Sequence, residues 1–255
     1  KPKIVTSGAV AIESASSAFD EAISTANLTI NSSATSLRIG KATNTAGVTI
    51  GAAQSIAGPI KIYGGNIAVN AALAATGTNT IWLYGSGTVN GSGAITADKL
   101  ALMGGAVSLT TTSNNVGTLA AQDVSSLTYV DSNALIVGVV NPTGISATGP
   151  IRISTVSGDL TVSENISTTD TSSTAIVLIA GSGSSAGIST GGNVVFANTS
   201  TGATPTITTN GRVVIYTGSV NGSTGVTNYG GSGTGNLRYN SKEGSSGYTT
   251  ALGNS

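Results

Sequence analysis

Apolar and polar residues alternate with a period of two along most of the chain, in short runs closed by Gly, Asn, Ser or Thr. Runs such as "SLRIG", "GVTIG", "PIKIYGG", "NIAVN", "TIWLYGS", "LALMGG", "PIRIS", "DLTVS", "NVVFA" and "RVVIY" place apolar side chains at i and i+2, the pattern of a strand with one buried face. Helical spacing is almost nowhere. The exception is "SSAFDEAISTAN" (16–27), where Ser17, Asp20 and a face of Phe19, Ala22 and Ile23 predict a short capped helix near 17–26.

The runs also repeat. "IKIYG-GNIAVNA-ALAATGTN", "IWLYG-SGTVNG-SGAITADK" and "LALMG-GAVSLT-TTSNNVGT" follow one another at about twenty residues, the period of one turn of a stacked solenoid. The connections are too short for helical crossovers, and Asn-Gly hairpin signals occur only at 90–91, 210–211 and 221–222. This reading predicts an all-β, parallel β-helix over 1–228. Ile60, Ile81 and Leu100 form one inward ladder, and Ile62, Leu83 and Leu102 the next. Ile151, Ile176 and Val213 start equivalent strands in later turns, with longer loops expected around 111–126, 140–149 and 196–209. Roughly ten turns at about 4.8 Å each would give a rod on the order of 50 Å. After residue 228 the alternation fades, and 229–255 reads as a Gly/Ser-rich tail or linker.

Composition narrows the function. Charged residues are only 8% of the 255 and aromatics 4%, so the interior must be built from small and β-branched side chains. Ten basic and ten acidic residues cancel, leaving no field to hold a nucleic-acid backbone. Without Cys there are no disulfides or thiolate sites, and without His no imidazole metal site or Ser-His-Asp triad. No apolar run has the length of a membrane helix, so membrane insertion is not expected, and no cofactor motif is present. "GSGSSAGISTGG" lacks the Lys-Ser/Thr of a phosphate loop, and the Gly-Gly-x-Gly-x-Asp calcium repeat occurs nowhere.

Parallel β-helices also carry polysaccharide lyases and glycosidases, so the charged residues need weighing. Asp159 and Glu164, with Asp131 stacked nearby, form the best candidate carboxylate pair for glycoside hydrolysis; the competing reading is three solvated bend residues. Lys61, Lys99, Arg152 and Arg212 fall at outward or strand-start positions, where isolated charges discourage edge pairing. Asn-x-Ser/Thr sequons begin at Asn27, Asn31, Asn90, Asn165, Asn198 and Asn221, a number that the abundance of these residues produces by chance. Trp82 and Tyr84 share an outward face in "TIWLYG", and this aromatic pair is the candidate ligand contact, able to stack on sugar or to cover an apolar patch.

The strings "TNTAGVTIGAAQSIAGPIKIYGGNIAVNA", "NPTGISATGPIRISTVSGDLTVSENIST" and "GRVVIYTGSVNGSTGVTNYGGSGTGNLRYNS" resemble the repeat region of filamentous-haemagglutinin-like exoproteins, very large adhesins secreted through a partner outer-membrane transporter. The resemblance implies a right-handed β-helix, the hand that parallel crossovers favour, together with display at the bacterial surface and adhesion to glycans or proteins of host or neighbouring cells. The family's N-terminal secretion domain is not recognisable; "NPTG" (141–144) lies mid-chain and reads as a turn. Three functions are therefore expected to compete: an adhesive rod or stalk, a filament of solenoids stacked head to tail, and a polysaccharide-active enzyme.

Overall fold

The computed structural model describes residues 2–219, 221–229 and 241–246. Its strands stack in parallel into a β-solenoid of about eight turns, so the rod is nearer 40 Å than 50 Å at about 4.8 Å per turn. In the early turns the cross-section has three sides. The first side stacks Ala9–Ile12, Ser36–Ile39, Ile60–Gly64 and then the leading part of Thr80–Asn90. The second stacks Ile23–Ser24, Val48–Ile50, Ile67–Val69 and the end of Thr80–Asn90. The third holds Lys3–Ile4 on Thr29–Ile30, and Gln54–Ile56 under Leu73–Ala75. Between those two pairs the Gln54 side chain stands in for a backbone rung: its Oε1 accepts from Ile30 N at 3.3 Å and its Nε2 donates to Leu28 O at 3.0 Å.

The predicted register is found. Ile60, Ile81 and Leu100 lie over one another, as do Ile62, Leu83 and Leu102, and all six are fully buried. Ile151, Ile176 and Val213 also align, but on the second side rather than the first. Each turn adds a ring of Ile, Leu and Val whose cross-strand contacts continue the column above and below.

Glycines make the corners possible. Where the first side bends into the second, Gly105 lies so close to the turn below that a Cβ would run into the carbonyl oxygen of Gly87. Because that obstacle is backbone, Gly105→Ala is expected to cost about 2 kcal/mol in urea unfolding; an unchanged midpoint would refute the close fit.

The cross-section changes midway. Ile95–Leu109 and Asn115–Val124 are single long strands that wrap corners, so 111–126 is mostly strand rather than the expected loop. Above Asn115–Val124 the first side opens into two short strands per turn. Leu135–Val137, Leu160–Val162 and Val194–Phe196 form one stack, and Ile145–Ala147, Ile166–Thr168 and Ile207–Thr208 the other. The second side lengthens through Ser126–Asp131, Ile151–Thr155, Ile176–Ile179 and Val213–Tyr216.

One expectation needs correcting, at the N-terminal end. Residues 16–22 are not helical; they run as bends to the strand Ile23–Ser24. The segment is instead held outside the corner of the next turn, where Asn44 Oδ1 accepts from Phe19 N at 3.1 Å and Lys41 Nζ donates to Ser16 O at 2.9 Å. Tertiary anchoring wins over a capping pattern too short to sustain an isolated helix. At the other end most of 229–255 lies outside the described residues. The residues just before it, together with Tyr229, pack on the rod. Thr224 O accepts from Phe196 N at 2.9 Å, Thr217 Oγ1 from Val194 N at 2.9 Å, and the Tyr229 ring packs on Phe196 at 4.5 Å, which caps that strand edge. A hairpin of Ser241–Lys242 and Ser245–Ser246 meets the second side through an Arg152–Glu243 ion pair.

Candidate functional site on the outer face

The outward residues of the first side form two columns. Ala11, Arg38, Lys61, Trp82, Ala101 and Ala120 occupy one, following the strand register. Tyr63, Tyr84, Met103 and Gln122 occupy the other. This face gathers the chain's only Trp and only Met with two of its seven Tyr.

Trp82 and Tyr84 do share this face, as the alternation predicts, but each already has partners. Tyr84 stacks on Tyr63 with ring centroids 4.4 Å apart and planes 12° apart, close to the natural spacing of stacked strands. One face of each ring is thus occupied by the other. Burial, then the adjoining Tyr63 hydroxyl, push the Tyr84 phenol up to about 12, so it stays neutral at physiological pH. Trp82 carries the Lys61 ammonium 5.0 Å from its ring centre, a cation–π contact of about 0.5–1 kcal/mol at an exposed position. Its indole N–H donates to Asn141 O at 3.1 Å. Below the tyrosines, Arg38 pairs with Glu13, and a shallow groove runs between Ala9–Ala11, Ser36–Arg38, Pro59 and Lys61.

The partner of Trp82 belongs to the segment whose "NPTG" reads in the sequence as a turn. Residues 138–144 leave the rod between Leu135–Val137 and Ile145–Ala147 and fold back over the outer face. Gly144 N donates to Gly138 O at 3.0 Å and closes the neck, while Val139 bridges Thr143. Val140 packs with Ala101, Ala120, Trp82 and Met103 in a small apolar cluster outside the main core. Ala101 and Ala120 point outward yet are completely buried.

The acidic candidates are separated by their roles. Asp159 is exposed and its Oδ1 accepts from Asn193 N at 2.8 Å. Glu164 is buried, not solvated, and its Oε1 accepts from Ser200 N at 2.8 Å. Asp131 is fully buried, with Oδ2 accepting from Val116 N at 3.0 Å and from the Tyr129 hydroxyl at 2.8 Å. Each carboxylate fastens the backbone of another part of the solenoid. Asp159→Asn keeps an acceptor at an exposed bend, and is expected to shift stability by less than about 0.5 kcal/mol in urea unfolding. A larger loss would mark Asp159 as more than a bend residue. The cations are dispersed: Lys61 faces Trp82, Arg152 faces Glu243, and Lys99, within Ile95–Leu109, and Arg212, just before Val213–Tyr216, are half-buried.

Among the described residues no group of three or more Asp or Glu could hold a metal ion, and no helix is long and apolar enough to cross a membrane. No family model, no curated protein and no solved structure matches the sequence.

Proposed function

We propose that the chain is a rod segment of a large secreted bacterial surface protein of the filamentous-haemagglutinin-like kind, serving as a stalk and presenting its side for attachment to glycans or proteins. One observation carries this reading: an apolar column continues from Leu37 through Ile60, Ile81, Leu100, Leu119, Val137 and Val162, with every one of these side chains 0–1% exposed. Such a column makes a stiff support without disulfides or metal. Nearest-neighbour stacking also suits passage through an outer-membrane transporter, because each turn folds on the one already formed. The aromatic columns of the first side are the part of the surface best suited to contact a partner.

The competing functions receive less support. An enzyme needs carboxylates facing each other across a cleft, whereas Asp131, Asp159 and Glu164 each hold a different backbone amide. A head-to-tail filament needs free strand edges at both ends. The first turn offers Ala9–Ile12 with a partner on one edge only among the described residues, but Thr217 and Thr224 occupy the edge of Val194–Phe196.

The test is to delete this segment from its parent protein in the source bacterium, and separately to replace it with an unrelated β-solenoid of similar length. Attachment to host cells or glycan surfaces should fall on deletion. Restoration by the replacement identifies a spacer, and failure to restore identifies a specific contact surface. Attachment unaffected by deletion, or release of reducing ends from polysaccharide by the purified chain, would overturn the proposal.

A further inference from the structure

The solenoid has a seam where its cross-section changes, and a strap laid across it. At the seam, the one strand Asn115–Val124 meets two separate strands of the next turn, at Thr118–Ile136 and Leu119–Val137 and at Ala121–Ile145 and Val124–Ala147, with a register shift between the last two pairs. The third side stops as a separate strand stack at the same level. In a one-dimensional stack each turn is held mainly by its nearest neighbours, so a level where the cross-section changes is where the rod can divide into two units that open separately. Continuous pairing across this level remains on the second side, between Ser126–Asp131 and Ile151–Thr155.

Residues 138–144 bypass that interface. Their neck is fixed beside the turn below, where Gly138 N donates to Leu119 O at 3.1 Å and Ala121 N donates to Gly144 O at 3.0 Å. Their tip extends further. Val140 covers Ala120 and then Ala101, and Asn141 O receives the indole N–H of Trp82, two turns below Ala120. The sequence prepares this surface: the register places two alanines directly above Trp82, leaving a trough one side chain deep. The strap thus binds a turn above the seam to turns that are not its neighbours.

We propose that residues 138–144 are a clasp, with Trp82 as its latch, which makes the two differently shaped halves of the solenoid unfold as one unit. The inference is independent of the surface-protein reading. The contact of Trp82 with Asn141 is its fastening point, and the buried alanines are the seat.

Hydrogen exchange and urea unfolding of the whole chain test it. The unaltered protein should unfold in one transition, with residues 80–104 and 151–168 acquiring protection together. Trp82→Phe retains a ring but removes the donor, and exchange within 138–144 should rise on the order of tenfold, the effect of one lost hydrogen bond. Shortening residues 139–143 to two glycines should split the transition, with one half exchanging ahead of the other. A single transition in the shortened chain, at whatever midpoint, would overturn the proposal, as would two transitions in the unaltered protein. If the shortened chain does not fold, Trp82→Phe decides: unchanged exchange within 138–144 eliminates the latch.

Discussion

Ile81→Asp is expected to unfold the middle of the rod. Ile81 is completely buried between Ile60 below and Leu100 above, themselves completely buried. The substitution removes an apolar contribution of about 2–3 kcal/mol and puts a carboxylate where no donor faces it. An unpaired charge in such a place either ionises at a cost of several kcal/mol or takes up a proton and still lacks partners. The combined loss of at least about 5 kcal/mol is comparable with the whole stability of an ordinary domain. Because each turn supports its neighbours, the damage should reach the turns containing Ile60–Gly64 and Ile95–Leu109 rather than remain local. Ile81→Ala supplies the graded comparison, since it leaves a cavity without a charge and should cost about 3 kcal/mol. Circular dichroism with urea titration measures both. A variant Ile81→Asp that keeps the wild-type midpoint, or that loses no more than Asp159→Asn, would refute the assignment of this column to the interior.

That prediction could be made from the sequence because the ladder is written in it twice over, by alternation within each strand and by recurrence between strands. Ile60–Ile81–Leu100 was legible for this reason. What alternation does not encode is the shape of the cross-section. The strand starts at Ile151, Ile176 and Val213 repeat correctly among themselves, yet they belong to the second side, and the change of shape between the halves left no periodic mark. Insertions are similarly opaque. Residues 138–144 break the period, which shows a loop, but only three dimensions show where it returns. The two outward alanines in register above Trp82 were the available signal. Trp82 and Tyr84 were correctly placed outward, while their occupation by Asn141, Lys61 and Tyr63 depends on side-chain geometry. The reading of Asp131 as a solvated bend residue failed against information already in the sequence. In "SLTYVD" the inward positions are Leu127 and Tyr129, and the same period continues to Asp131.

Asp131→Ala should be the most damaging change at any acidic residue. Asp131 ends the strand Ser126–Asp131 at the level where the third side stops, and its carboxylate replaces the missing strand above Val116. Asn114 prepares the same transition one turn earlier, accepting from Ile95 N at 2.9 Å and donating to Val130 O at 3.0 Å. With alanine, the Val116 amide and the Tyr129 hydroxyl lose their acceptor in a site that water does not reach, a loss of about 4 kcal/mol at the usual cost of two unsatisfied buried donors. Asp131→Asn keeps an oxygen for both donors, sacrifices the bond from Asn133 N, and should lose much less. The pair also separates charge from hydrogen bonding. Burial raises the Asp131 carboxyl above its ordinary 3.8, against the opposing pull of the Asn133 amide, the Tyr129 hydroxyl and the Val116 amide. Its folded form therefore binds the proton more tightly than its unfolded form. The stability gained by that proton is fully present below the unfolded value and is lost as pH rises through the folded one. As pH falls from neutrality toward 3.8, the wild-type protein should gain stability relative to Asp131→Asn, in which the group does not titrate. Urea midpoints of the two proteins, measured in parallel across that range, give the sign. A wild-type advantage that shrinks on acidification would mean that the donors around Asp131, not its burial, govern the carboxylate.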